Sequence, residues 1–180
     1  MPKPDQCVDC LLALCAILFH GQDYTQKTPD HHGEDMTQTA FSTDDGKALL
    51  QSAFAPWVLA QNLTPVSFSP TQARFTLPAN DDLALRGGPG AGLICGQAIA
   101  AAADTATVIA LAGANGRFRN CTTVDLSTNF LRPLPMGDTK ILVDIESNGR
   151  KLAVCRIAFF AENSSKPAAL STATFMYLED

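Results

Sequence analysis

The sequence predicts an α+β protein in which one long helix is wrapped by an antiparallel β-sheet. Three observations carry that expectation. Residues 98–112 are small or apolar on every face, with Ala at eight of the fifteen positions. A helix apolar all round is normally buried, and small side chains let a sheet approach its backbone. Downstream, several runs alternate apolar and polar residues with a period of two, the pattern of half-buried strands. Asn148-Gly149, between two such runs, is a strong hairpin signal.

The chain of 180 residues suits one domain with a real core. Six acids and two lysines in residues 1–35 carry −4 of the net charge of −5, so the rest is near neutral. No basic stripe is present, which argues against nucleic acid as a partner. Six cysteines lie scattered without a framework, as in a reduced, cytoplasmic protein.

Residues 1–35 read as an atypical segment, disordered or mis-assigned, with the domain spanning 36–180 and starting at Met36. The apolar run Leu11 to Phe19 lacks a basic n-region and a small-residue cleavage site, so it is not read as a signal peptide. Cys7-Val8-Asp9-Cys10 with His20, His31 and His32 fits no zinc spacing, and no metal is expected.

Asp44 and Asp45 are placed to cap a helix over Lys47 to Ala55, stopped by Pro56. Trp57, the only tryptophan, is expected to pack on or anchor the turn. Val66 to Ser69 and Gln72 to Leu77 read as a hairpin broken at Pro70. The glycine-rich loop Asn80 to Gly92 leads into the long helix. Polar residues 113–120 close it. Thr122 to Leu131 alternates, with Val124, Leu126, Thr128 and Phe130 on one face. Two strands flank Asn148-Gly149, and Ala168 to Leu178 is the last. One antiparallel sheet with a helix on its concave face satisfies this order.

One charge interrupts the central helix, Asp104. A carboxylate there is costly unless paired or protonated, which makes it a functional-site candidate. The alternative is an acid satisfied at a subunit edge by a backbone group or an arginine. A membrane span is disfavoured by the central Asp, the two Thr and the lack of an aromatic belt. At the helix start, Gly96 and Gln97 offer free N–H groups and the positive end of the dipole, a place for a developing oxyanion. The plainer reading is a glycine that permits a tight loop. Asp104 lies eight residues beyond Gly96, about 12 Å at ~1.5 Å per residue. For both to act on one carbonyl, Gly96 of one chain must face Asp104 of another, which a two-fold dimer allows.

The three histidines all precede residue 36, so a Ser-His-Asp triad within the domain is excluded. Cys95 has no histidine near in the fold to activate it and reads as a packed thiol. Neither a Walker loop nor a dinucleotide fingerprint is present. What remains is carboxylate chemistry, with Asp104 as general base or nucleophile.

Residues Gly96 to Ala106, followed by Thr122-Thr123-Val124-Asp125-Leu126-Ser127-Thr128-Asn129-Phe130-Leu131-Arg132-Pro133 and the closing Ala173-Thr174-Phe175, resemble a hotdog-fold acyl-CoA thioesterase of the PaaI-like, phenylacetate-pathway type. The resemblance covers about residues 45–178. It implies a hotdog fold, homodimers or homotetramers, and hydrolysis of a medium-chain or aromatic acyl-CoA without cofactor. By position, Asp104 matches the catalytic acid and Gly96 the glycine whose N–H polarises the thioester carbonyl. Gln97 stands beside it as a third catalytic candidate. Arg132 is a candidate for the CoA phosphates, or else a surface arginine near a turn, and Asn129 and Thr105 are candidates for substrate contact. Many members have His-Gly-Gly where this chain has Cys95-Gly96-Gln97. Many also carry an Asn where this chain has Gly88-Pro89-Gly90, and Asn80 is the nearest substitute. A hotdog module that binds acyl-CoA without turnover is the alternative function.

Overall fold

The computed structural model describes residues 41–178, which lie within one compact unit, Thr37–Asp180. The expectations for residues 1–35 and for a start at Met36 lie outside the described residues.

The elements run α1 (Thr43–Ala53), α2 (Pro56–Leu59), β1 (Thr64–Phe68), β2 (Gln72–Leu77), α3 (Gly96–Asn115), β3 (Cys121–Phe130), β4 (Thr139–Asn148), β5 (Leu152–Ala161) and β6 (Ala169–Tyr177). Two 3₁₀ turns, Asp81–Leu83 and Gly88–Gly90, shape the loop before α3. The strands form one antiparallel sheet in the order β1-β2-β4-β5-β6-β3. Helix α3 crosses its concave face and meets every strand. This is the hotdog fold.

Helix α1 starts earlier than predicted. Ser42 Oγ accepts from Asp45 N at 3.1 Å, and Asp45 Oδ2 accepts from Ser42 N at 2.8 Å and from Ser42 Oγ at 2.7 Å. This reciprocal capping box satisfies two donors that the helix cannot. Asp45 is therefore the answering residue at the third helical position, not the cap. Its hydrogen bonds with Ser42 hold its carboxyl below the usual range. The helix ends at Ala53, ahead of Pro56.

Inside α3, Ala98, Ala102, Ala103, Ala106 and Ala110 are buried against the sheet. Their small size lets Phe75, Ile141, Val143, Phe159 and Phe175 reach the helix backbone from four strands. At Gly113 the approach is closer still: a Cβ there would lie 2.6 Å from the Phe68 ring. Thr107, fully buried, returns its hydroxyl to Ala103 O at 2.8 Å, which removes the cost of burying it. The helix is long and apolar enough to cross a membrane by length and composition, but here the sheet wraps it.

The clean alternation expected of β3 does not hold. The pairing with β6 slips at Val124, between Thr123↔Phe175 and Asp125↔Thr174. A bulged residue leaves the ladder and re-aims its neighbours. Leu126 and Thr128 turn toward the core side, while Val124 is 57% and Phe130 58% exposed. Trp57 does not pack as an anchor either; it sits 64% exposed on the short helix α2.

Candidate active site at the open stripe of the central helix

Helix α3 is not covered all round. Gln97, Ala101, Asp104 and Val108 stay partly or fully exposed, spaced so that they form one stripe along the helix. Asp104 is thus half-open within one chain, not buried as its apolar surroundings suggested. Strand β3, at the sheet edge, runs beside the stripe. Thr123 Oγ1 donates to Asp104 Oδ1 at 2.7 Å. Among the described residues, Oδ2 has no hydrogen-bond partner. Thr105, the next residue, faces the opposite way and is 3% exposed against the sheet.

At the helix start, Cys95 occupies the cap position without a side-chain hydrogen bond. The first N–H bonded inside the turn is that of Ile99, to Cys95 O. Among the described residues, no hydrogen bond is recorded for the N–H groups of Gly96, Gln97 and Ala98. They form a ready set of donors for a carbonyl or anion.

Two cavities meet this helix end. One, of ~440 Å³, is lined by Leu85, Gly96, Phe130, Leu131, Arg132 and Leu134 among others. The Phe130 ring lies so close to Gly96 that a Cβ there would stand 3.1 Å from Phe130 Cζ. Arg132 is held at this cavity by Nη1, which donates to Pro167 O at 2.7 Å. The other, of ~340 Å³, is lined by Trp57, Gln61, Leu83, Cys95, Gln97 and Ala98 among others. Gly96 and Arg132 therefore share one cavity, with Gln97 facing the other. Asn129 is exposed on β3, opposite Leu170, and does not line either.

Asn80 is committed elsewhere. Its Nδ2 donates to Ala60 O at 2.8 Å, and its Oδ1 accepts from Asp82 N at 3.0 Å. Both polar ends pin the loop before α3. Thr123, which holds Asp104, is the site residue that sequence reasoning missed. Thr123 was visible as a polar residue of a strand, but nothing in its spacing told of Asp104. The three histidines and Cys7 to Cys10 lie outside the described residues.

Residues 91–168 match the profile of the thioesterase superfamily. No curated protein matches the sequence of this chain. Among solved structures, a thioesterase from Haemophilus influenzae aligns with TM-score 0.66 and 19% identity, over 79% of this chain and 94% of that one. A candidate thioesterase from Silicibacter aligns with TM-score 0.67 and 24% identity, over 77% and 93%. Zebrafish thioesterase superfamily member 2 aligns with TM-score 0.63 and 19% identity, over 75% and 94%. The wrapped helix with free N–H groups at its start falls inside the matched segment. The chain thus has the hotdog fold and, over residues 91–168, matches the thioesterase superfamily.

Proposed function

We propose that the protein is a PaaI-like acyl-CoA thioesterase that works as a homodimer, or a pair of dimers, in the cytoplasm. The observation that carries this reading is the pairing of an open helix N-terminus at Gly96 with a half-exposed carboxylate, Asp104, held by Thr123. The two are about 12 Å apart along one helix at ~1.5 Å per residue, so one chain does not complete the site. Edge strand β3 exposes Val124 and Phe130, and Leu131 follows just beyond it. Pairing with β3 of a second copy would cover them and bring each Gly96 toward the other chain's Asp104.

In this arrangement the thioester carbonyl oxygen accepts from Gly96 N–H, which stabilises the charge that develops on it. Asp104 of the second copy activates a water, or attacks the carbonyl itself. In the water route its carboxylate takes the proton as the C–O bond forms. Collapse of the adduct breaks the C–S bond, and CoA leaves with the electron pair and a proton. Thr123 orients Asp104. Arg132 stands where the CoA phosphates would bind, and a medium-chain or aromatic acyl group fills the cavity beside Gln97. Asn129 and Thr105 have no role in this scheme.

The test is free-thiol release from a panel of acyl-CoAs, short to long and aromatic, by wild type and Asp104→Asn. Turnover that falls at least ~100-fold in the variant supports the reading. Equal rates would remove Asp104 from it. A module that binds acyl-CoA without turnover is the second reading, and the full engagement of Asn80 favours it. Saturable binding with no thiol released would establish that alternative.

A further inference from the structure

When one face of an antiparallel sheet lies on the core, the other is normally polar. The outer face here departs from that rule between β1 and β5. A groove of ~350 Å³ opens there, lined by Val66, Arg74, Thr76, Lys140, Leu142 and Phe160 among others. Arg74 pairs with Leu142, Thr76 with Lys140, and Lys140 with Phe160. These residues alternate with Phe75, Ile141 and Phe159, which are buried in the core, so they share the face that points away from α3. Val66 is 52% exposed. It sits where the β1–β2 register shifts between Pro65 and Ser67, and a bulge re-aims a side chain. Leu142 and Phe160 are half-buried. In the order β1-β2-β4-β5 the groove crosses three strand spacings, about 14 Å at ~4.8 Å each.

Two cations stand in this groove and no acid lines it. Arg74 and Lys140 are diagonal neighbours across the β2–β4 ladder, roughly 7 Å apart, where like charges repel. Among the described residues, neither meets a carboxylate at ion-pair distance. Arg74 Nε and Nη2 donate to the neutral Gln72 Oε1, each at 3.3 Å, which is long for such bonds. Lys140 Nζ donates to the Glu162 backbone carbonyl at 2.8 Å. Asp144, on the same face of β4, is engaged by Gln72 Nε2 at 2.9 Å and by Arg156 Nη2 at 3.8 Å. A ligand that fits must therefore be anionic at one point and apolar elsewhere. A neutral hydrocarbon leaves the two cations unmatched, and inorganic phosphate leaves the apolar floor in water.

We propose that this groove binds a free medium-chain alkanoate. Its carboxylate takes charge-assisted hydrogen bonds from Arg74 and Lys140 and relieves their repulsion. Its chain lies across the strands and covers Val66, Leu142 and Phe160 from water. The site is on the opposite side of the sheet from Gly96 and Asp104. It goes beyond the thioesterase reading and does not rest on it.

The experiment titrates the full chain with hexanoate, octanoate and decanoate, and with the matching primary alcohols, by calorimetry. At least one acid should bind with a Kd at or below ~1 mM and about tenfold or more tighter than its alcohol. Arg74→Gln combined with Lys140→Gln, both exposed positions, should keep the fold and lose that preference. In methyl-labelled protein, nuclear Overhauser effects should connect the chain of the acid to the Val66 and Leu142 methyls. Four outcomes would overturn the proposal: no acid binding at ~1 mM, equal affinity for acid and alcohol, a preference that survives the double variant, or effects confined to Leu131 and Leu134 at the cavity beside Gly96. A fifth is dissociation of the assembly in Val66→Ser, read by sedimentation, which would give the groove to a second copy of the chain. Thiol release enters none of these readouts, so its absence would sink the thioesterase reading and leave the groove standing.

Discussion

Thr123 Oγ1 donates a 2.7 Å hydrogen bond to Asp104 Oδ1, joining the edge strand to the open stripe of the central helix. The register slip at Val124, immediately after Thr123, is where the edge strand bends. One bond therefore fixes the carboxylate relative to the surface on which the proposed second copy would sit.

Replacing Thr123 with Val keeps the shape and deletes the bond. The expected result is a ~10-fold fall in kcat, the worth of one hydrogen bond, with KM little changed and the melting temperature retained. Thr123→Ser should restore the rate. An unchanged kcat in Thr123→Val would show that the bond does not orient Asp104.

The proposed two-chain site predicts complementation. Asp104→Asn and Gly96→Ala should each be inactive alone. The alanine Cβ would collide with Phe130 at 3.1 Å and push the ring and helix start apart. Unfolded together and refolded, the two variants form mixed dimers with one intact Gly96–Asp104 pair each. Random two-fold assembly then returns about a quarter of wild-type activity. No recovery in verified mixed dimers would place both residues' action within one chain.

Far from that end, Asn115 Nδ2 donates to Tyr177 Oη at 2.9 Å, Tyr177 Oη to Asn148 Oδ1 at 2.7 Å, and Asn148 Nδ2 to Asn115 Oδ1 at 3.1 Å. This closed ring ties the helix C-terminus to two strands, with the Arg119 guanidinium 3.5 Å above the tyrosine ring. Tyr177→Phe leaves both asparagines short of a partner and should cost about 1–3 kcal/mol. Urea unfolding reads the loss. Activity should not change, since along the helix Asn115 lies about 16 Å from Asp104 and nearly 30 Å from Gly96 at ~1.5 Å per residue.

Cys155, fully buried on β5, predicts alkaline sensitivity. Burial, with a smaller contribution from Glu146, pushes its thiol from 9.0 up to about 12. Between those values the folded chain keeps a proton that the unfolded chain gives up, so stability falls as pH rises through the window. At pH 11 the loss should approach 3 kcal/mol at ~1.4 kcal/mol per unit, and below pH 9 it vanishes. Cys155→Val should show a correspondingly shallower decline in urea unfolding between pH 8 and 11. Equal declines in the two proteins would assign the effect to other groups, Tyr177 among them, whose hydroxyl burial also raises.

Local chemistry was legible wherever it needed no distant partner. The alanine helix from Ala98 to Ala112, the hairpin at Asn148-Gly149 and the count of strands follow from periodicity and turn residues, which act over a few neighbours. The start of α1 was misplaced because Asp44 and Asp45 are equally good caps in isolation. The reciprocal bonds between Ser42 and Asp45 make neither of them the cap and give that place to Ser42. The positions of Asp104 and Gly96 as candidates were also readable, because an acid in an apolar helix and a glycine at its start are local anomalies.

Long-range placement was not legible. Alternation puts Val124 on a face, but only pairing with β6 shows that it bulges and that β3 forms the sheet edge. Strand order is a choice among pairings of similar local quality, settled by which faces the helix and loops can cover. The same holds for the site. Thr123 is nineteen residues from Asp104 in the chain. The sequence by itself determined the elements and the unusual residues in them, because propensity and periodicity are short-range. Only the tertiary structure decided which polar groups meet and which stay unpaired, because those outcomes depend on contacts between segments distant in the chain.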